Sequence, residues 1–219
     1  MIIYGSSISP YVRKTLAFAA EKGIAVDNPP AAPNSQDEEF RKASPFGKIP
    51  ALCDGDFRVA DSSAIVAYLD ALRPEPALIP NEPKSRARTI WYDEFADTIL
   101  FGAGRKIFFN RVVAPRFLRI QGDEAEADKA EREELPPLVD YLETVIPASG
   151  FLVDDRLTLA DIAVASPWVN MTHLGIRIDP ATHPRSAAYL DAILARPSFA
   201  TLIAKEKALL AKLAEREAS

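Results

Sequence analysis

The stretch that most constrains this chain is Arg73–Pro83, RPEPALIPNEP, where four of eleven residues are proline. Proline removes a backbone N–H and fixes φ, so neither a helix interior nor a central strand runs through such a segment. β-prone runs occur before it, and after it only helical repeats follow. It is read as a linker at 74–83 between a first domain at 1–73 and an all-helical part at 84–219.

The first part opens on the β-prone run Ile2-Ile3-Tyr4, closed by Gly5-Ser6-Ser7. Ser9-Pro10 then starts a helix, with serine at the cap and proline at the first helical position. Val12, Thr15, Leu16 and Ala19 mark its inner face, and Lys22-Gly23 ends it. Ile24-Ala25-Val26 is expected to be a second strand, parallel to the first. Gln36 to Ala43 reads as at most a short polar helix. After Pro50, Ala51-Leu52-Cys53 and Phe57-Arg58-Val59 form a hairpin about Asp54-Gly55-Asp56. Asp61-Ser62-Ser63 is the polar start of a helix reaching about Leu72. The order is βαβ followed by ββα.

Beyond the linker, residues 84 to about 110 form one long helical pattern, and Leu135 to Ile146 form another. Gln121 to Lys129 is acidic and expected to be an exposed connection. A mostly apolar helix spans Leu157 to Leu174, and two more cover Ser186 to Ala195 and Phe199 to Ala214. Thr158-Leu159-Ala160-Asp161 has the form of a capping box, with Asp161 where Glu or Gln is usual. An acid inside an apolar run suggests chemistry, but a buried helix start needs an acceptor for its N–H groups, and that is the preferred role of Asp161.

Composition excludes some functions. The net charge of -5 disfavours nucleic acid and anionic membrane surfaces. No apolar run is long enough to span a bilayer. The opening residues MIIYGSSISP lack the form of a signal peptide, and a single cysteine permits no internal disulfide, so a cytoplasmic protein is expected. His173 and His183 lack a third ligand in pattern, so no metal site is expected.

Four motifs stand in order: Ser9-Pro10-Tyr11-Val12-Arg13-Lys14, Gly47-Lys48-Ile49-Pro50-Ala51-Leu52, Asp61-Ser62-Ser63-Ala64-Ile65 and Thr158-Leu159-Ala160-Asp161-Ile162. With the linker between the third and fourth, the whole chain resembles the cytosolic glutathione transferases, in their bacterial-type, serine-using form. The resemblance implies a thioredoxin-like first domain in an α/β fold, an all-α second domain and glutathione as co-substrate. It implies a small hydrophobic electrophile as second substrate, a role in detoxification and a homodimer. Phe46, in the loop before Pro50, is expected either to insert into the partner or to close its own core.

Carried onto this chain, the resemblance makes Pro50 a cis-proline that turns the Ile49 backbone toward the cysteinyl unit of glutathione. Asp61 and Ser62 would hold the γ-glutamyl end, with the helix N-terminus favouring its carboxylate. The family more often has Glu at Asp61. Lys48 would pair with the glycyl carboxylate, or be solvated. Ser9 is the candidate donor to the glutathione sulfur, with Ser6, Ser7 and Tyr4 as alternatives. The cysteine-using classes need Cys at the first helix start, whereas Cys53 lies in a strand and is read as a small hydrophobe. Maleylacetoacetate-type isomerases carry Ser-Ser-Cys, where this chain has Ser9-Pro10-Tyr11, so conjugation is preferred to isomerisation. A non-catalytic glutathione-binding protein is the other alternative.

The electrophile is expected between Ser9 and the first helices of the second part. Phe101, Arg105, Phe108, Phe109 and Trp168 are plausible liners, although aromatic residues at helical spacing more often build core. Arg105, Lys106, Arg111, Arg116 and Arg119 make this region locally basic, and a solvated face is the preferred reading.

Overall fold

The computed structural model describes residues 1–217. β1 (Ile2–Tyr4), β2 (Ala51–Asp54) and β3 (Phe57–Ala60) form an antiparallel sheet in that order. Ile3 lies opposite Leu52, and Asp54 opposite Phe57. The hairpin loop has Gly55 at φ +60°, where glycine carries no Cβ penalty. The Phe57 ring is stacked on Tyr68 at 4.6 Å.

The expected strand Ile24–Val26 does not form. The parallel connection is a single bridge from Ile2 to Asp27, flanked by Ile3 N–H to Asp27 O at 2.9 Å and Gly5 N–H to Pro29 O at 3.2 Å. Pro29 and Pro30 offer no N–H with which to continue the ladder.

α1 (Pro10–Glu21) and α3 (Ser62–Leu72) pack together beside the sheet, and α2 (Glu38–Ala43) places Phe40 against Ala51. Cys53 is half-buried beside that cluster, where burial pushes its thiol pKa up.

The second half is entirely helical. α4 (Pro83–Glu94), α5 (Phe101–Phe108) and the wider-wound stretches Phe95–Leu100 and Phe109–Leu118 make one continuous rod. It runs past the expected end at 110. Pro115, which has no N–H, sits in its last widened stretch. The acidic segment expected as a connection is helical instead. α6 (Glu124–Lys129) continues through Ala130–Glu134 into α7 (Leu135–Val145). Arg111 explains the difference, because it pairs with Glu124 and Asp128 at 2.7 Å each and with Glu131.

α8 (Leu159–His173) is buried around its whole circumference from Leu159 to Met171, as expected for a helix apolar on every side. It touches α1, α4, α5 and α9 (Pro184–Leu194). α10 (Pro197–Glu217) closes over α1. The Asp161 carboxylate accepts from Thr158 N–H and Leu152 N–H, each at 2.9 Å, so it serves the helix start. No single helix among the described residues is long and apolar enough to cross a membrane.

One apolar core runs through both halves, from Ile3 and Val12 to Trp168 and Phe199. Charged groups cross between the halves as well. Lys22 is buried and donates to the carbonyls of Arg73, Pro74 and Pro76 at 2.9, 3.1 and 2.7 Å.

Candidate functional site

Ser9 leaves β1 through Gly5, whose φ is +131°. A Cβ on Gly5 would come within 2.6 Å of Val12 Cγ2 and 3.2 Å of Ile49 Cβ, so glycine lets three segments meet here. Ser9 is extended (φ -71°, ψ 125°) ahead of Pro10, the geometry that a residue before proline prefers. Its hydroxyl makes no cap bond to its own helix, and the side chain is half-buried. Tyr11 and Val12 sit at the second and third helical positions, where an N–H has no partner inside the helix. The start of α1 therefore offers a hydroxyl and two amides.

The alternatives to Ser9 make other contacts. Ser6 Oγ accepts from Ile8 N–H at 3.4 Å, and the Ser7 hydroxyl faces the Glu206 carboxylate. Tyr4 packs edge-on against Phe40 at 5.9 Å.

The Ile49–Pro50 peptide is cis. No hydrogen bond to the Ile49 N–H or C=O forms among the described residues. The Asp61 N–H donates to the Pro50 carbonyl at 3.4 Å, tying this bend to the start of α3. Lys48 is exposed, with no acidic partner among the described residues.

Asp61 has φ +91°, a conformation that non-glycine residues adopt at a cost of about 1–3 kcal/mol. Its Oδ1 accepts from Ser63 N–H at 2.9 Å and Ala64 N–H at 3.1 Å, so it caps α3. Its other oxygen has no partner among the described residues. Ser62 is buried, and its hydroxyl donates to Asp97 Oδ2 at 3.4 Å.

Asp93 and Asp97 lie outside every motif of the sequence, while the residues that bind them lie inside two. Buried Lys14 of α1 places its Nζ 2.7 Å from Asp93 and 2.6 Å from Asp97. Ser63 donates to Asp93 at 2.8 Å. Burial, opposed in part by Lys14, pushes the Asp97 pKa up to about 6. The Tyr11 hydroxyl donates to the Asp97 backbone carbonyl at 3.0 Å. Burial and then Asp97 push the Tyr11 pKa up to about 12, so this phenol stays neutral as a wall of the site. Nothing local marks the two acids, because they lie 79 and 83 positions from Lys14.

Beside them is a cavity of about 370 Å³ lined by Tyr11, Asp97, Phe101, Arg105 and Phe109 among others. Of the expected liners, Phe101, Arg105 and Phe109 are there. Phe108 is 3% exposed and belongs to the core. Trp168 lines a different cavity, between α8 and α9. His173 and His183 serve separate acids, Glu206 and Asp140, each at 2.8 Å.

A small sheet with two helix starts and an unpaired backbone segment beside it, joined to a helical half, defines a thioredoxin-like domain carrying an all-α domain. Residues 3–77 match the family model "Glutathione S-transferase, N-terminal domain", and residues 97–197 match "Glutathione S-transferase, C-terminal domain". The chain belongs to the glutathione S-transferase family. It is 29% identical over 210 residues to a glutathione S-transferase of Hyoscyamus muticus, covering 93% of this chain and 97% of the relative. It is 25% identical to a stringent starvation protein A homolog of Coxiella burnetii, covering 96% and 94%. A solved glutathione S-transferase from Rhodospirillum rubrum F11 superposes with a TM-score of 0.81 over 92% of this chain and 90% of its own, at 24% identity.

Proposed function

We propose that this protein is a glutathione transferase that adds the glutathione thiolate to a hydrophobic electrophile, with Ser9 as the donor to the sulfur. The observation that carries the reading is a pair of unengaged elements on segments that meet at Gly5. The Ser9 hydroxyl does not cap its own helix, and the Ile49 backbone has no hydrogen bond among the described residues. An extended peptide can pair with Ile49 as an added strand pairs with a sheet edge. The Lys48 ammonium can then take the glycyl carboxylate. The Ser62 N–H, first in α3, can take the γ-glutamyl carboxylate, assisted by the helix dipole. The free oxygen of Asp61 is available for the ammonium.

The nucleophile belongs to glutathione, and the protein favours its ionised form. A hydroxyl and helix N–H groups aimed at sulfur stabilise thiolate over thiol. The thiolate attacks the electrophilic carbon, the C–S bond forms, the leaving group departs with its electron pair, and the thiol proton passes to solvent. In this reading residues 1–73 hold glutathione and residues 84–219 hold the electrophile. The test is calorimetric glutathione binding together with chromogenic aryl-halide conjugation by wild type and Ser9→Ala. Equal rates with intact glutathione binding would remove Ser9 from the role.

A non-catalytic glutathione-binding protein is the second reading. The Ser62 hydroxyl, bonded to Asp97, bears on glutathione binding and not on turnover. The reading is favoured by one relative whose name denotes no transferase. Glutathione binding without turnover across a broad electrophile panel would select it. We further propose a homodimer. Phe46 is 86% exposed beside the glutathione loop, an apolar side chain that a second copy would cover.

A further inference from the structure

The basic character of the region from Arg105 to Arg119 resolves residue by residue. Lys106 gives its ammonium to both oxygens of Glu134, at 2.7 and 2.8 Å. Arg111 is spread over Glu124, Asp128 and Glu131. Arg105 differs from both: it is exposed, lines the 370 Å³ cavity and has no acidic partner among the described residues.

Its neighbours on the rod are aromatic. Phe101, Arg105 and Phe109 follow one another at intervals of four residues, which puts them on one helix face. Tyr11 faces Phe101 edge-on, with ring centroids 5.3 Å apart. A guanidinium thus stands among three aromatic walls.

The acids in the same cavity are already engaged. Asp97 is held by Lys14 at 2.6 Å, and Glu126 accepts the Asn110 side-chain amide at 2.8 Å. A planar guanidinium matches a carboxylate with two parallel donors and also stacks on aromatic faces.

We propose that this cavity selects aryl electrophiles bearing an anionic group, with Arg105 meeting the anion and Tyr11, Phe101 and Phe109 holding the ring. The proposal rests on the transferase reading and names the substrate class of that site. With an aryl chloride, the glutathione thiolate attacks the ring carbon that carries chlorine. The C–S bond forms, the C–Cl bond breaks, chloride leaves, and the thiol proton goes to solvent. Arg105 takes no part in that step and acts on binding.

The test compares 4-chloro-3,5-dinitrobenzoate with its methyl ester, which keeps the reacting carbon and removes the charge. Binding is measured by calorimetry with S-methylglutathione present, so that no thiol can react. Turnover is measured separately with glutathione. Exposed ion pairs contribute up to about 1 kcal/mol, so wild type should bind the carboxylate about five-fold more tightly than the ester. Arg105→Gln should bind the two equally, and Arg105→Lys should keep part of the preference. The ester is intrinsically the more reactive toward thiolate, so turnover is read as a change in ratio: the carboxylate-to-ester ratio of kcat/KM should fall about five-fold from wild type to Arg105→Gln. Equal binding of both probes by wild type, or a preference that survives in Arg105→Gln, overturns the proposal. A preference in binding without any thiol-dependent turnover upholds the charge assignment and sinks the transferase reading. Turnover of both probes with a kcat/KM ratio that Arg105→Gln leaves unchanged does the reverse.

Discussion

Arg13 and Glu206 lie 193 residues apart in sequence and meet in two hydrogen bonds of 3.0 and 2.9 Å, both side chains almost fully buried. The same guanidinium donates to Asn170 Oδ1 at 2.8 Å, and Glu206 also takes His173 Nε2 at 2.8 Å. Burial would raise the Glu206 pKa, but Arg13 and the hydrogen bond from His173 hold it below the ordinary value. Asn170 in turn donates to the carbonyl of Ile8, the residue before Ser9, at 3.1 Å.

Breaking that pair should destabilise the fold. Removing one partner strands a buried charge, so Glu206→Gln is expected to cost about 3 kcal/mol in urea unfolding. The double substitution Arg13→Met with Glu206→Met should recover part of the loss, because neither charge of the pair is then stranded, although Asn170 and His173 lose their partners. A Glu206→Gln cost below about 1 kcal/mol would show that the network contributes little.

Asp97 and Glu206 should give pH dependences of opposite sign. Asp97 is raised to about 6, so its protonation favours the folded state. That contribution is fully present below about pH 4 and is lost as pH rises through about 6. Relative to Asp97→Asn, wild type should therefore lose about 2 kcal/mol between those limits. Glu206 is lowered, so its contribution is present above its unfolded pKa and is lost as acid protonates it in the folded state. Parallel stability profiles for wild type and Asp97→Asn from pH 4 to pH 7 would contradict the Asp97 prediction.

Ser9→Ala should slow conjugation through thiolate population. A thiol of pKa about 8.5 is roughly 3% ionised at neutral pH, so full ionisation raises the thiolate at most about thirtyfold. The expected loss in kcat/KM lies within that bound, with little change in glutathione affinity. A difference spectrum of bound glutathione should show the thiolate band in wild type shifted to higher pH in the variant. An unshifted band would clear Ser9.

Asp161→Ala should behave as a folding defect. It leaves two buried N–H groups, on Leu152 and Thr158, without their acceptor, which costs about 3 kcal/mol. Asp161→Asn should recover part of this, because an amide oxygen can still accept. Activity per folded molecule should be unchanged in both.

Phe46→Ser tests the proposed dimer. Sedimentation should show the wild-type dimer shifting toward monomer, with little change in the stability of the separated chain. A monomeric wild type refutes the proposal directly.

The parts of the fold written in local chemistry were legible in the sequence. Ser9-Pro10 starts a helix, Asp54-Gly55-Asp56 turns a hairpin, and Thr158 with Asp161 opens α8. Local patterns misled where a distant partner decides the outcome. The acids from Glu124 to Glu131 look solvated until Arg111 is brought beside them. Arg13 and Lys14 look like the polar face of α1, yet both are buried because their acids come from helices across the cleft. Lys14 and Ser63 stand inside motifs of the sequence, whereas their partners Asp93 and Asp97 carry no nearby signal.

Lys22 gives the proline segment a property that its composition conceals. One ammonium gathers the carbonyls of Arg73, Pro74 and Pro76, while Leu159 N–H is bonded to Leu78 O at 2.8 Å. The segment joining the halves is thus a weld, not a joint. The first helix and the start of α8 are thereby tied to the same few residues of backbone, so the prolines are held from both sides.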